Sequence, residues 1–197
     1  MPNKVKIINE SREYDGFFKI DKAVIQYEKF NGEMSPEITR LNFNRGNSVG
    51  VLLYNKDKDS IILVKQFRYP AYVNNGPGWL LELVAGMIDK GRDAISVARS
   101  ELMEEAGYEV DDLKYLCQFY VSPGGSSEKV YLYIADCHRK IGQGGGKESE
   151  NEDIQVLEIP LTKAIEMIRN GEICDAKTII AIQWLWIELK RYKAHNP

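Results

Sequence analysis

The order of hydrophobic patterns predicts an α/β protein, a layered α/β/α sandwich on a mixed sheet, with a small β-unit ahead of the main domain. Strand-like runs fill most of the chain up to Ala135, one amphipathic helix follows Asp93, and two helical segments close the sequence. Strands and helices segregated in this way favour a sandwich over a doubly wound parallel fold. A chain of 197 residues can bury one good core with a small appendage. We expect residues 1–45 to form the β-unit and residues 46–197 the main domain.

In the first segment, 5–8, 17–20 and 23–27 read as strands, bounded by turn signals at Asp15-Gly16 and Asn31-Gly32. Adjacent Phe17 and Phe18 would face opposite ways in a strand, one open to packing or to stacking on a base. Residues 48–54 and 60–68, joined by a polar turn, predict a hairpin. Tyr69-Pro70 ends it, and 74–78 carries enough breakers to be a loop. Residues 79–85 read as one strand. Its lone carboxylate, Glu82, faces a site, an arginine or the surface, because an unpaired charge in an apolar run is costly. Asp93 is placed to cap a helix from Ala94 to Ala106 that Gly107 stops, with Ile95, Ala98, Leu102 and Ala106 as its buried stripe. Residues 116–121 and 129–135 are strands joined by a loop of small residues. His138 reads as a surface residue. The Gly142–Asp153 stretch is glycine-rich and acidic, and reads either as a linker or as a mobile loop that delivers a general base. Residues 154–159 resume as a strand. Thr162 is expected to cap a helix to Arg169, and Asp175 a last helix with Ile179, Ile182, Trp186 and Leu189 in the core.

Composition excludes several classes. Apolar residues make up 44% and charged residues 28%, ordinary for a soluble globular chain. The net charge of -3 provides no broad basic field for nucleic acid, so an anionic ligand has to be met by local cations. Cys117, Cys137 and Cys174 are odd in number and lack CxxC spacing, which disfavours a disulfide framework or zinc site and fits a reducing cytoplasm. No segment resembles a signal peptide or approaches the roughly 20 apolar residues of a membrane span.

Glu101, Glu104 and Glu105 fall at i, i+3 and i+4, neighbours on one helical edge, where their like charges repel. Such a run is often a solvated acidic face. It is also an oxygen-only donor set suited to Mg²⁺, which keeps part of its hydration and takes one or two carboxylates plus substrate phosphates.

Gly86, Glu101, Leu102, Glu104, Glu105, Gly107 and Tyr108 stand at the spacings of the Nudix box, and the stretch resembles that motif. Arg45-Gly-Asn47, Gln66-Phe-Arg68, Leu81–Gly86, Ser122–Gly125 and Glu150–Asp153 are similar to blocks of the ADP-ribose and GDP-mannose pyrophosphatase branch, with the triple glycine most similar to the GDP-mannose type. Two positions depart: Arg92 replaces the box's first Glu, and Ser100 replaces the Arg of its usual structural ion pair. Arg99 or Arg92 is then expected to reach the glutamates from a neighbouring position. The resemblance implies a Nudix-type sandwich and a Mg²⁺-dependent pyrophosphohydrolase, Mn²⁺ also serving, that splits a nucleoside diphosphate sugar into a nucleoside monophosphate and a sugar phosphate. It implies metal ligands at Glu101, Glu105 and the Ala85 carbonyl, with Glu104 adding or orienting one. It places Glu150 or Glu152 as general base, Glu150 preferred. Arg68 and Glu82 would contact phosphate and sugar, Glu128 the substrate, and Phe17 with Arg45 the base, across a homodimer. The alternative is a non-catalytic nucleotide-sugar sensor of the same fold.

Overall fold

The computed structural model describes residues 4–137, 139–147, 149 and 151–195. His138 and Glu150 lie outside them. The chain divides into two units. One comprises the N-terminal segment to Asn47 together with Phe119–Lys129, and the other comprises Ser48–Gln118 with the chain from Val130 onward.

In the first unit, β1 (Val5–Asp15), β2 (Lys19–Tyr27) and β3 (Ile38–Asn44) form an antiparallel sheet in that order. β1 runs on to Asp15, so Phe17 and Phe18 belong to the β1–β2 turn and not to a strand. Phe17 is 80% exposed, while Phe18 packs edge-on against Phe43.

The second unit is built on β4 (Ser48–Asn55) and β5 (Ser60–Phe67). Almost every residue of these two strands is buried, as expected of central strands covered on both faces. Side chains alternate between the faces. Val49, Val51, Leu53, Ile62 and Val64 join one core cluster with Val97, Ala98, Leu102 and Ala106, whereas Leu52, Ile61 and Leu63 point the other way. The main path of the sheet is β12 (Gln155–Pro160), β5, β4, β10 (Lys129–Asp136) and β9 (Lys114–Tyr120). β10 runs parallel to β4, while β5 is antiparallel to both β4 and β12, so the sheet is mixed. Among the described residues, no helix is long and apolar enough to cross a membrane.

β4 and β5 pair only at Leu53–Asn55 and then splay apart. Two short strands fill the wedge: β6 (Trp79–Glu82) pairs with β5, and β7 (Val84–Met87) pairs with β4. The single strand expected over 79–85 is therefore two, with the chain crossing from one partner to the other at Leu83. The Leu83 amide donates to the Thr178 hydroxyl at 2.8 Å, which satisfies a buried group that neither ladder serves. The breaker-rich stretch after Arg68 includes a helical turn, α1 (Tyr69–Val73), started by Pro70 at a position where its missing N–H costs nothing.

Helix α2 (Ala94–Glu101) begins at Asp93, whose carboxylate accepts from the Ser96 amide at 2.9 Å. It widens into a π-helical turn over Leu102–Ala106 before Gly107, at φ 75°, ends it. Val97, not Ile95, completes the buried stripe, and Ile95 is half exposed. β8 (Tyr108–Glu109) then pairs with β11 (Arg139–Lys140). α3 (Leu161–Arg169) starts at Pro160 without a side-chain cap, so Thr162 lies inside the helix. α4 (Ala176–His195) buries Ile182 as expected, but with Thr178, Ala181 and Leu185 beside it, and leaves Ile179, Trp186 and Leu189 partly covered.

Candidate active site

The wedge in the sheet, the π-turn and the start of α4 bring most of the predicted acidic residues together. Glu105 is 3% exposed, and one of its carboxylate oxygens accepts from the Ala85 amide at 3.1 Å. Burial pushes its carboxyl up to about 8; the Ala85 hydrogen bond and Arg68 oppose this, while Glu101 and Glu152 reinforce it. Glu101 lies directly over Gly86, where a Cβ would collide with its carboxylate. Glycine is required there for that close approach.

Arg68 and Glu82 form a two-pronged pair, with the arginine's Nε and Nη2 donating at 2.7 and 3.1 Å. Lys177 adds a third contact to Glu82 at 2.5 Å. Glu82 is 2% exposed, and burial works against its charge. The Arg68 hydrogen bond and the positive charges of Lys177 and Arg68 outweigh this and hold its carboxyl below the usual range. Asp175 locks the cluster: one oxygen takes Lys177 at 2.9 Å, and the other caps α4 through the Thr178 amide and hydroxyl. Near the end of β5, two residues before Arg68, the buried Gln66 side chain has an amide nitrogen with no hydrogen-bond partner.

The glycine-rich stretch packs against the π-turn. The Gly145 and Gly146 amides donate to the carbonyls of Glu105 and Glu104 at 2.9 and 3.1 Å, serving acceptors that the end of a helix leaves open. A Cβ at Gly144, at φ 71°, would run into the Glu105 carbonyl. The next residue, Lys147, places its ammonium 2.8 Å from Glu104, and its amide donates to Glu152 at 2.8 Å.

The other unit holds Arg45, Glu128 and Phe17. Arg45 Nε lies 3.6 Å from the buried Glu128 carboxylate, within ion-pair range but too long for a hydrogen bond. Its guanidinium stands 5.5 Å from the Phe18 ring centre. The ring beside Arg45 is thus Phe18, with Phe17 edge-on to it on the outer side.

Residues 44–179 match the NUDIX domain family. The chain belongs to the NUDIX family. It is 40% identical over 190 residues to a GDP-mannose pyrophosphatase of Enterobacter sp. (strain 638), covering 95% of this chain and 97% of that one. It is 37% identical over 192 residues to an ADP-ribose pyrophosphatase of Escherichia coli (strain K12), covering 97% and 92%. The fold is similar to that of a solved structure titled "Crystal structure of ADP compounds hydrolase", with a TM-score of 0.73, 21% identity and 96% of each chain covered.

Membership gives meaning to the two departures from the NUDIX box. Arg92 donates to the Ser100 hydroxyl at 2.7 Å and to the Ser96 carbonyl at 3.1 Å. The loop is still braced to the helix between the same two positions, with the cation moved to the loop side and a neutral acceptor opposite. Arg99 instead donates to the carbonyls of Val110 and Asp111, so the arginine contacts seen at these two positions go to neutral groups rather than to the glutamates.

The donor set fits a hard divalent cation: all its side-chain groups are carboxylates, one of them buried and crowded by like charges. Among the described residues, however, no three acidic, histidine or cysteine side chains already converge as a cage. Glu105 is turned to the Ala85 amide and Glu104 to Lys147. Sequence reasoning missed Lys147, Lys177 and Thr178. Lys177 had a signal, since a cation in the first turn of a helix opposes the helix dipole unless an acid answers it.

Proposed function

We propose that this NUDIX protein is a metal-dependent pyrophosphohydrolase that cleaves a nucleoside diphosphate sugar, GDP-mannose or ADP-ribose, into a nucleoside monophosphate and a sugar phosphate. The observation that carries this reading is the buried Glu105 carboxylate, crowded by Glu101 and Glu152 at the NUDIX box, with Arg68 close enough to act on its charge. The activities named for relatives at 40% and 37% identity over nearly the whole chain support the substrate class.

Mg²⁺, with Mn²⁺ as a substitute, would supply charge neutralisation at the pyrophosphate and a more acidic water. Glu101, Glu105 and the Ala85 carbonyl would hold it, with Glu104 adding or orienting a ligand. Arg68 would meet phosphate oxygens, and its fork, fixed by Glu82, enters the reaction already oriented. Glu82 has its carboxylate committed to Arg68 and Lys177 and would act by holding that arginine. Gln66 offers a buried donor two residues from Arg68. The water's proton would go to a carboxylate of the acidic loop, Glu150 or Glu152. Glu152 is held at the Lys147 amide. Phe17 with Arg45 would contact the base across a homodimer formed by the N-terminal strands, and Glu128 would contact the substrate. Three free cysteines accord with a cytoplasmic location. Retention of all three box glutamates argues against the sensor reading, since a binding module has little need of them.

Glu105→Gln tests the assignment. With Mg²⁺ and either nucleotide sugar, turnover should fall on the order of 10²-fold or more while circular dichroism stays unchanged. A variant that retains near-normal turnover would contradict it.

A further inference from the structure

Lys147 stands where a metal-binding edge should be short of positive charge. Its ammonium is 2.8 Å from Glu104, one of the three box carboxylates, and its own amide holds Glu152 of the acidic loop. The residue is placed there by its neighbours. Gly145 and Gly146 are tied to the π-turn carbonyls, so the backbone reaches Lys147 alongside that turn. One residue therefore joins the catalytic helix to the acidic loop, through its side chain on one side and its backbone on the other.

Resting on the metal-site reading above, we propose that Lys147 is a tethered cation that neutralises Glu104 and competes with a divalent ion for that carboxylate. While its Oε2 closes on the lysine, Glu104 offers a metal one oxygen and less net charge. The pair sets metal affinity from within the chain. Both partners are part-exposed, 44% and 31%, so the competition is modest, of the size of a surface ion pair. It is nonetheless local, because the hydrogen bonds of Gly145 and Gly146 set the preceding backbone against the π-turn.

The test is Mn²⁺ binding without substrate, followed by electron paramagnetic resonance. Lys147→Met should bind Mn²⁺ about two- to five-fold more tightly than the wild type, the factor that a surface ion pair represents. Lys147→Arg, which keeps the charge, should return to the wild-type affinity. Lys163→Met, which removes the same charge from α3, should leave affinity unchanged. Damage to the loop would weaken binding, so tightening separates competition from a structural defect. Unchanged or weaker binding in Lys147→Met, or equal tightening in Lys163→Met, overturns the proposal and leaves the metal site standing. A wild-type protein that binds no Mn²⁺ overturns both.

Discussion

Glu82 shows how burial and charge divide the work among single residues. Its carboxylate costs free energy to bury, and Arg68 and Lys177 offset that cost by holding it ionised. Because its folded pKa lies below the ordinary carboxylate value of roughly 4.3, the pair's stability is fully present above that pH. It is lost as pH falls through the depressed value. In metal-free buffer, Glu82→Gln should cost about 1–3 kcal/mol at pH 7 by urea denaturation, less than breaking a fully buried pair because Arg68 and Lys177 keep some access to water. The difference should shrink below about pH 4. A difference independent of pH would show that the pair does not carry the effect. Some of this was legible in advance. A lone acid in an apolar run pointed to an arginine, and Asp93 and Gly107 announced their caps through local chemistry. The burial of Glu105 and the reach of Lys147 to Glu104 are tertiary, set by residues distant in sequence, and leave no local pattern.

Among the elements, the glycine stretch changes most between expectation and structure. Composition reads it as a linker or a mobile loop, since a run of glycines carries no periodicity. In the structure it is a strap whose amides complete the π-turn. Gly144→Ala brings a Cβ into the Glu105 carbonyl at a positive φ, and we expect a loss of about 1–3 kcal/mol with weaker Mn²⁺ binding, read by thermal unfolding and metal titration. A neutral substitution would mean that the strap is not docked. The break at Leu83 escaped for a similar reason. Residues 79–85 are apolar at every position but Glu82, and nothing in so continuous a run reports that the strand changes partners halfway. The NUDIX-box helix was read correctly to Ala106 in extent, but its π-turn was not, because a widened turn depends on what docks against it.

At the level of the whole molecule, order and class were well encoded. Two buried central strands, one amphipathic helix and two terminal helices suffice to predict a mixed-sheet sandwich, and the structure has that form. The grouping of Phe119–Lys129 with the N-terminal strands was hidden, because a reading along the chain cuts it only at successive points. The N-terminal sheet exposes Val5, Ile7, Tyr14, Tyr27 and Leu41, an apolar population that a second copy would cover. Sedimentation equilibrium should therefore give a dimer mass, and Val5→Glu with Ile7→Glu should shift it to monomer. A wild-type monomer at micromolar concentration would remove the dimer from the account. Product identification tests the proposed chemistry. Purified protein is incubated with Mg²⁺ and, in parallel, with GDP-mannose, ADP-ribose, UDP-glucose and dinucleotides. Mg²⁺-dependent formation of GMP with mannose 1-phosphate, or of AMP with ribose 5-phosphate, is expected. Tight nucleotide binding with no cleavage of any nucleotide sugar would contradict it.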